Sequence, residues 1–270
     1  VDLAHAERID TSSPSGGNSD EMIGPNLIEV EALSHIYMKG SPFAERSLND
    51  VTMTITVGQR HGLLGPTGAG KSTLLQHLNG LLRPQSGRVR VGSHDLSDPE
   101  TDLQAVRRQI GLVFQLPEAQ IFEQYVGDEI AYGPRLQGLE REDLRARVRW
   151  AMGQAGLDFE ADKDRYTFTL SGGQKRKVAL ASILALRPKA LLLDEPTAGL
   201  DPRASRELLD NLRALNAEGM TLVISSHRME ELAAMTERLT VLDAGSTVLR
   251  GTPSEVFARG EALRAIGLDQ

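Results

Sequence analysis

The chain contains no cysteine, which excludes disulfides, thiolate metal sites and a cysteine nucleophile, and leaves a reducing compartment unopposed. No apolar run approaches the roughly 20 residues that a bilayer crossing needs. Residues 1–26 lack the basic start and apolar stretch of a signal peptide, so the chain is expected to be soluble by itself. Basic charge is also scarce: 30 Lys and Arg stand against 37 Asp and Glu, for a net charge of −7, and no block of five like charges occurs. That balance argues against a nucleic-acid partner. The six histidines (His5, His35, His61, His77, His94, His227) show no metal-ligand spacing, and no internal repeat is found.

What remains is 270 residues, room for one large or two small domains with a real core. Residues 10–26 are rich in Ser, Gly, Pro and Asn, so residues 1–26 are expected to form a disordered lead. Order is expected from Leu27, where LIEVEAL alternates. Val51, Met53, Ile55 and Val57 then alternate with threonines, the period of half-buried antiparallel strands. From Arg60 onward short apolar runs precede helical patterns: GLLG before a helix over Lys71 to Leu82, IGLVF at 110–114, ALLLD at 190–194 and TLVIS at 221–225. Wholly apolar strands alternating with helices indicate a parallel sheet covered on both faces. Between Phe114 and Leu191 the signals are helical, an insert over about residues 116–187. Arg141, Arg145 and Arg149 fall on one face there, most simply a solvated one.

Residues 65–72, Gly65-Pro66-Thr67-Gly68-Ala69-Gly70-Lys71-Ser72, fit G-x-x-x-x-G-K-[ST] between an apolar run and a helical pattern, the context the motif requires. The glycines let the backbone curl so that successive N–H groups face phosphate oxygens, with the helix start adding positive potential and Thr73 following in the first turn. Lys71 is placed to reach the β- and γ-phosphates, and Ser72 to offer a hydroxyl to Mg²⁺. The expected fold class is thus an α/β P-loop NTPase with a parallel core sheet, an N-terminal antiparallel β subdomain and a helical insert.

LLLDEP puts Asp194 and Glu195 at the C-terminal end of a buried strand, where open α/β sheets bind ligands. Adjacent strand residues point to opposite sides, so the two acids are expected to hold different roles: Asp194 near Mg²⁺, Glu195 as general base for an attacking water. LSGGQ at 170–174 (Ser171, Gly172, Gly173, Gln174) opens a helix expected to run to about Leu186, a second anion-binding helix start. One chain has one triphosphate loop, so this second start implies service to a partner's nucleotide. Gln115 and His227 each follow a strand and are candidates to meet the γ-phosphate, Gln115 also as a magnesium ligand.

The ordered series GPTGAGKS, Gln115, LSGGQ, LLLDEP, AGLD (Ala198 to Asp201) and His227 resembles the ATP-binding-cassette (ABC) ATPases over about residues 27–250. The resemblance implies ATP and Mg²⁺ as ligands, and two cassettes facing head to tail with each ATP between one phosphate loop and the other subunit's LSGGQ. It further implies that Tyr37, in the loop after the first strand, stacks on adenine and that Asp201 crosses the dimer seam.

SPFAERSLNDV (41–51), STLLQHLNGLLRPQSG (72–87) and VFQLPEAQIFEQYVGDEIAYGPRLQGL (113–139) resemble the ATPase subunits of energy-coupling factor (ECF) transporters, of the second ATPase type. Tyr125 and Ser226 depart from that pattern, each standing where Thr is common. The likeness implies an importer of vitamins or transition-metal ions. It also implies a second ATPase subunit (homo- or heterodimer), a transmembrane coupling subunit and a substrate-binding membrane subunit. The chain would then lie on the cytoplasmic face of the cell membrane, peripheral and held only through partners. Residues 116–139 would shape the groove for the coupling helices, and residues 251–270 would form a short helical tail. The rival readings are an ATPase of a generic substrate-binding-protein-dependent importer and a non-transport cassette ATPase. A GTPase would need an Asn-Lys-x-Asp that is missing.

Overall fold

The computed structural model describes residues 25–116 and 120–268, so the expected disordered lead falls, through residue 24, outside the described residues. Strand β1 (Asn26–Tyr37) pairs antiparallel with β2 (Glu45–Thr56) on one edge and with β4 (Ser86–Val91) on the other. With β5 (His94–Asp95) they form a four-stranded sheet in the order β2-β1-β4-β5. The clean alternation stops short of the true start of β2. Asp50 has φ 55 and the pairing register shifts between Leu33, opposite Val51, and His35, opposite Leu48, so residues 45–50 show no simple period. The same pairing with Glu45 keeps Tyr37 inside β1 as its last residue, which corrects its expected place in a loop.

The second sheet has the order β10-β9-β3-β8-β7-β6, with β3 (Arg60–Leu64), β6 (Ile110–Val113), β7 (Ala190–Asp194), β8 (Thr221–Ser226), β9 (Arg238–Asp243) and β10 (Ser246–Gly251). β9 through β6 run parallel and β10 pairs antiparallel to β9. The wholly apolar strands face two cores. Leu191, Leu193, Leu222, Ile224 and Leu64 enter the core beneath the helices, while Ala190, Leu192, Val223 and Leu63 enter the core shared with the antiparallel sheet. Period two is therefore present but invisible, because both faces are dry. Strands β4, β5, β9 and β10 were not apparent from the sequence pattern, being short, charged or on a sheet edge.

Helix α1 (Lys71–Leu78) ends a turn before the expected Leu82. Asn79 is its C-cap, with Nδ2 donating to the Ile110 carbonyl at 2.6 Å, and Gly80 turns the chain away at φ 72. α2 (Leu103–Gln109) leads into β6. Between β6 and β7 the described residues form α3 (Val126–Leu136), α4 (Arg141–Gln154), α5 (Phe159–Asp162), a 3-10 turn (Thr167–Thr169) and α6 (Gly172–Leu184), with one isolated bridge, Tyr125 to Tyr166. The arginine stripe is solvated: Arg145 and Arg149 pair with Glu160 at 3.6 and 2.8 Å and lie over the Phe159 ring. α7 (Pro202–Ala217) and α8 (Met229–Met235) flank β8, and α9 (Pro253–Phe257) and α10 (Gly260–Ala265) follow β10.

Candidate nucleotide site

Three adjacent parallel strands, β3, β8 and β7, deliver their C-terminal ends to one place: β3 runs into Gly65, β8 into His227, and β7 ends on Asp194. This is the position at which open α/β sheets build ligand sites. A cleft of about 290 Å³ lies there, lined by residues 67–73 of the loop and α1, by Tyr37, Gln115, Asp194, Glu195 and His227, and by Glu45 and Ser47. A larger cavity of about 1020 Å³ sits near the start of β3, beside His61, Arg238 and Arg250, and none of the sequence motifs reaches it.

The loop from β3 to α1 depends on two glycines. A Cβ on Gly65 would sit 2.4 Å from the Leu242 carbonyl oxygen, and one on Gly70, at φ 99, would sit 2.5 Å from that of Ser47. Gly70 is the N-cap of α1 and supplies no side-chain cap, so the helix start is open to an acceptor from outside. Lys71 is buried and threads the loop: Nζ donates to the carbonyls of Gly65 at 2.7 Å and Pro66 at 3.1 Å and lies 3.5 Å from Glu195 Oε1.

The two acids do not diverge as strand alternation predicts. β7 ends at Asp194, and Glu195 takes φ 47 with its N–H donating to the Ser225 carbonyl, which turns both carboxylates to the same cleft. Asp194 Oδ1 accepts from Ser225 Oγ at 2.5 Å, fixing its rotamer, and Glu195 Oε2 lies 3.0 Å from His227 Nδ1. Tyr37 Oη is 3.2 Å from Thr73 Oγ1, which is also 2.7 Å from Ser47 Oγ, so the aromatic ring is tied to α1. Gln115 is exposed two residues beyond β6, its carbonyl accepting from Arg176 at 2.8 Å.

LSGGQ and Asp201 are not in this cleft. Ser171 is the N-cap of α6 in a capping box, its Oγ accepting from the Gln174 N–H at 3.3 Å and Gln174 Oε1 accepting from the Ser171 N–H at 3.0 Å. The helix ends at Leu184 rather than near Leu186. Asp201 is the N-cap of α7, accepting from the N–H groups of Ala204 and Arg203, which hold its carboxyl below the usual range.

The sequence reading missed Glu45 and Ser47, whose strand segment lacks a period, and Arg176, Thr197 and Glu231, buried polar residues around the turn after Glu195. Arg176 donates to the carbonyls of Pro196 and Ala198 as well as Gln115, so one guanidinium ties the turn after Glu195 to the segment after β6.

The family model described as ABC transporter matches residues 48–198. The chain belongs to the ABC transporter family. Among curated relatives of this ABC ATPase, the energy-coupling factor transporter ATP-binding protein EcfA2 of Symbiobacterium thermophilum is 52% identical over 241 residues, covering 89% of this chain and 83% of that protein. EcfA2 of Clostridium perfringens is 46% identical over 242 residues, covering 89% and 85%. Among solved structures, cbiO1 of Clostridium perfringens, described as part of the ABC transporter complex cbiONQ, superposes with a TM-score of 0.76 at 36% identity, covering 90% of this chain and 95% of that one. The ATP-binding cassette MJ0796, a dimer bound to ADP and Pi in a post-hydrolysis state, gives a TM-score of 0.76 at 27% identity, covering 84% and 98%.

Ser72, Gln115 and Asp194 line the cleft with hard oxygen donors, the ligand type that Mg²⁺ takes. Among the described residues no group of three or more His, Cys, Asp or Glu could hold a metal. No helix among the described residues is long and apolar enough to cross a membrane. Large apolar side chains are displayed elsewhere: Leu116, Phe122, Tyr132, Leu136 and Phe168 are exposed, and the rings of Phe122 and Tyr132 meet edge-on at 4.7 Å.

Proposed function

We propose that this ABC ATPase is the ATP-hydrolysing subunit of an energy-coupling factor importer, working as one of a pair of cassettes. The observation that carries the reading is a division of labour. Phosphate loop, Asp194, Glu195 and His227 share one cleft, whereas the LSGGQ of the same chain lies outside it. A second cassette, of this or a related chain, supplies what the cleft lacks.

Backbone N–H groups of residues 67–73 and the Lys71 ammonium bind the phosphates, and Tyr37 stacks on adenine. Ser72, Gln115 and Asp194 hold Mg²⁺, which supplies charge neutralisation on the phosphate oxygens. Glu195 accepts the proton of the attacking water, and His227, 3.0 Å from it, orients that carboxylate toward the γ-phosphate. Ser171, Gly172, Gly173 and Gln174 face the partner's nucleotide, and Asp201 crosses the seam. Most of the rate gain comes from positioning and charge stabilisation.

The cassette spans residues 27–250 with its helical insert at 116–187, followed by the tail at 251–270. The exposed apolar residues around α3, where the rings of Phe122 and Tyr132 meet, are the docking surface for a transmembrane coupling subunit, since large apolar side chains displayed together favour a partner. Membrane association at the cytoplasmic face is through that partner, and cargo, a vitamin or a transition-metal ion, is chosen by a separate membrane subunit. The test is co-purification from detergent-solubilised membranes. Recovery with membrane partners and ATP-dependent turnover supports the reading, and recovery in a soluble ribosome complex contradicts it.

A further inference from the structure

The turn after Glu195 is gripped from two sides. From α6, Arg176 holds the carbonyls of Pro196 at 2.9 Å and Ala198 at 2.6 Å. From α8, Glu231 Oε2 accepts from Thr197 Oγ1 at 2.5 Å. Thr197 and Glu231 are 3% and 6% exposed, so this contact is sealed from water. Glu231 stands in the first turn of α8, four residues beyond His227, and Thr197 two residues beyond Glu195. The turn itself is closed by the Ala198 N–H to the Glu195 carbonyl and the Leu200 N–H to that of Thr197, both at 3.1 Å, and it leads directly into Asp201.

Packing alone does not call for a carboxyl group here. Glu231 Oε1 is buried with no hydrogen-bond partner, and a buried unsatisfied acceptor costs about 1–3 kcal/mol. Burial, with a smaller push from Glu195, raises its carboxyl above the usual range, against the opposing pull of Thr197, Arg228 and His227. Arg228 Nη1 lies 3.8 Å from Glu231 Oε2. An apolar side chain of similar volume would fill this place at less cost, so the hydrogen bond to Thr197 is what the site retains.

We propose that Glu231 is a positioning residue that, through Thr197, locks the turn between Glu195 and Asp201 to the helix behind His227, so that carboxylate, imidazole and seam residue move as one unit. The inference rests on the ATPase reading above. It separates geometry from binding: neither Thr197 nor Glu231 lines the nucleotide cleft, so loosening their contact shifts Glu195 relative to His227 while leaving the phosphate loop intact.

The test uses the full chain in the complex recovered with its partners, carrying the parent sequence or Thr197→Val, Glu231→Ala, Glu231→Gln or the Thr197→Val/Glu231→Ala double, with steady-state ATP hydrolysis and equilibrium ATP binding as readouts. Thr197→Val keeps the shape of the side chain and removes only the hydroxyl. Thr197→Val and Glu231→Ala are expected to lower kcat roughly 10- to 100-fold, the size of a small misplacement of reacting groups. KM and ATP affinity should stay within about twofold. Glu231→Gln, whose carbonyl oxygen still accepts from Thr197, should recover most of the loss. The double variant should be no worse than the worse single, because both remove the same contact. Normal kcat in Thr197→Val, multiplied losses in the double, or affinity falling in step with kcat would overturn the proposal while the parent chain still turns over ATP. A parent chain that neither binds nor hydrolyses ATP would instead overturn the ATPase reading and this inference with it.

Discussion

Glu195 is shared between Lys71 and His227: one carboxylate oxygen lies 3.5 Å from Lys71 Nζ and the other 3.0 Å from His227 Nδ1. The carboxylate is nearly buried, its side chain 11% exposed, and Lys71 offsets its charge, while the backbone N–H of Glu195 donates to the Ser225 carbonyl and hydroxyl. Its positive φ costs on the order of 1 kcal/mol or more, strain that sits where the chemistry is proposed to occur.

Lys71→Ala is expected to weaken ATP binding by roughly 10- to 100-fold, the equivalent of one charge-assisted hydrogen bond to a phosphate. Calorimetric titration of ATP into the variant checks this. Unchanged affinity would mean that the loop between β3 and α1 does not hold the phosphates.

Two loop glycines should respond differently to a methyl group. Gly68, at φ 83, has open space where a Cβ would go, whereas Gly70 at φ 99 would bring it within 2.5 Å of the Ser47 carbonyl oxygen. Gly70→Ala should therefore lower thermal stability more than Gly68→Ala, with strain of about 1–3 kcal/mol plus the clash. Equal melting temperatures for the two variants would contradict the tight approach of β2 to the loop.

Stability is expected to fall as pH drops from about 6.5 toward 4. Burial, aided by Arg250 and Arg238, holds His61 down at about 4 from an ordinary 6.5. His77 is likewise held at about 4, chiefly by burial, with His35 lowering it further and the carbonyls of Thr73 and Arg83 acting against. The unfolded chain binds these protons first, so the stabilisation is complete above 6.5 and is lost through that window at up to about 1.4 kcal/mol per pH unit per histidine. Melting temperatures between pH 7 and 4.5 measure the slope. His61→Gln should make it shallower, and an unchanged slope in that variant would count against His61 as a contributor.

The sequence motifs were legible because residue type and spacing mark them: GPTGAGKS, LLLDEP and LSGGQ lie at the strand and helix ends where the sequence pattern put them. The strands β3, β6, β7 and β8 were legible as apolar runs, since a sheet with two dry faces favours apolar side chains. The supports were not. Ser47 sits in a strand segment broken by the kink at Asp50, and Arg176, Thr197 and Glu231 look like ordinary polar residues until folding brings α6 and α8 to one turn. The convergence of Asp194 and Glu195 also lay beyond pattern reading, because it depends on one backbone torsion at Glu195.

The most direct test of the nucleotide site is ATP turnover by Glu195→Gln, measured alongside its ATP affinity and oligomeric state. Glutamine keeps the shape and loses the proton acceptor, so kcat should fall by roughly 100-fold or more while ATP binding persists and an ATP-dependent dimer accumulates. Near-normal turnover in that variant would show that the carboxylate between Lys71 and His227 is not the base.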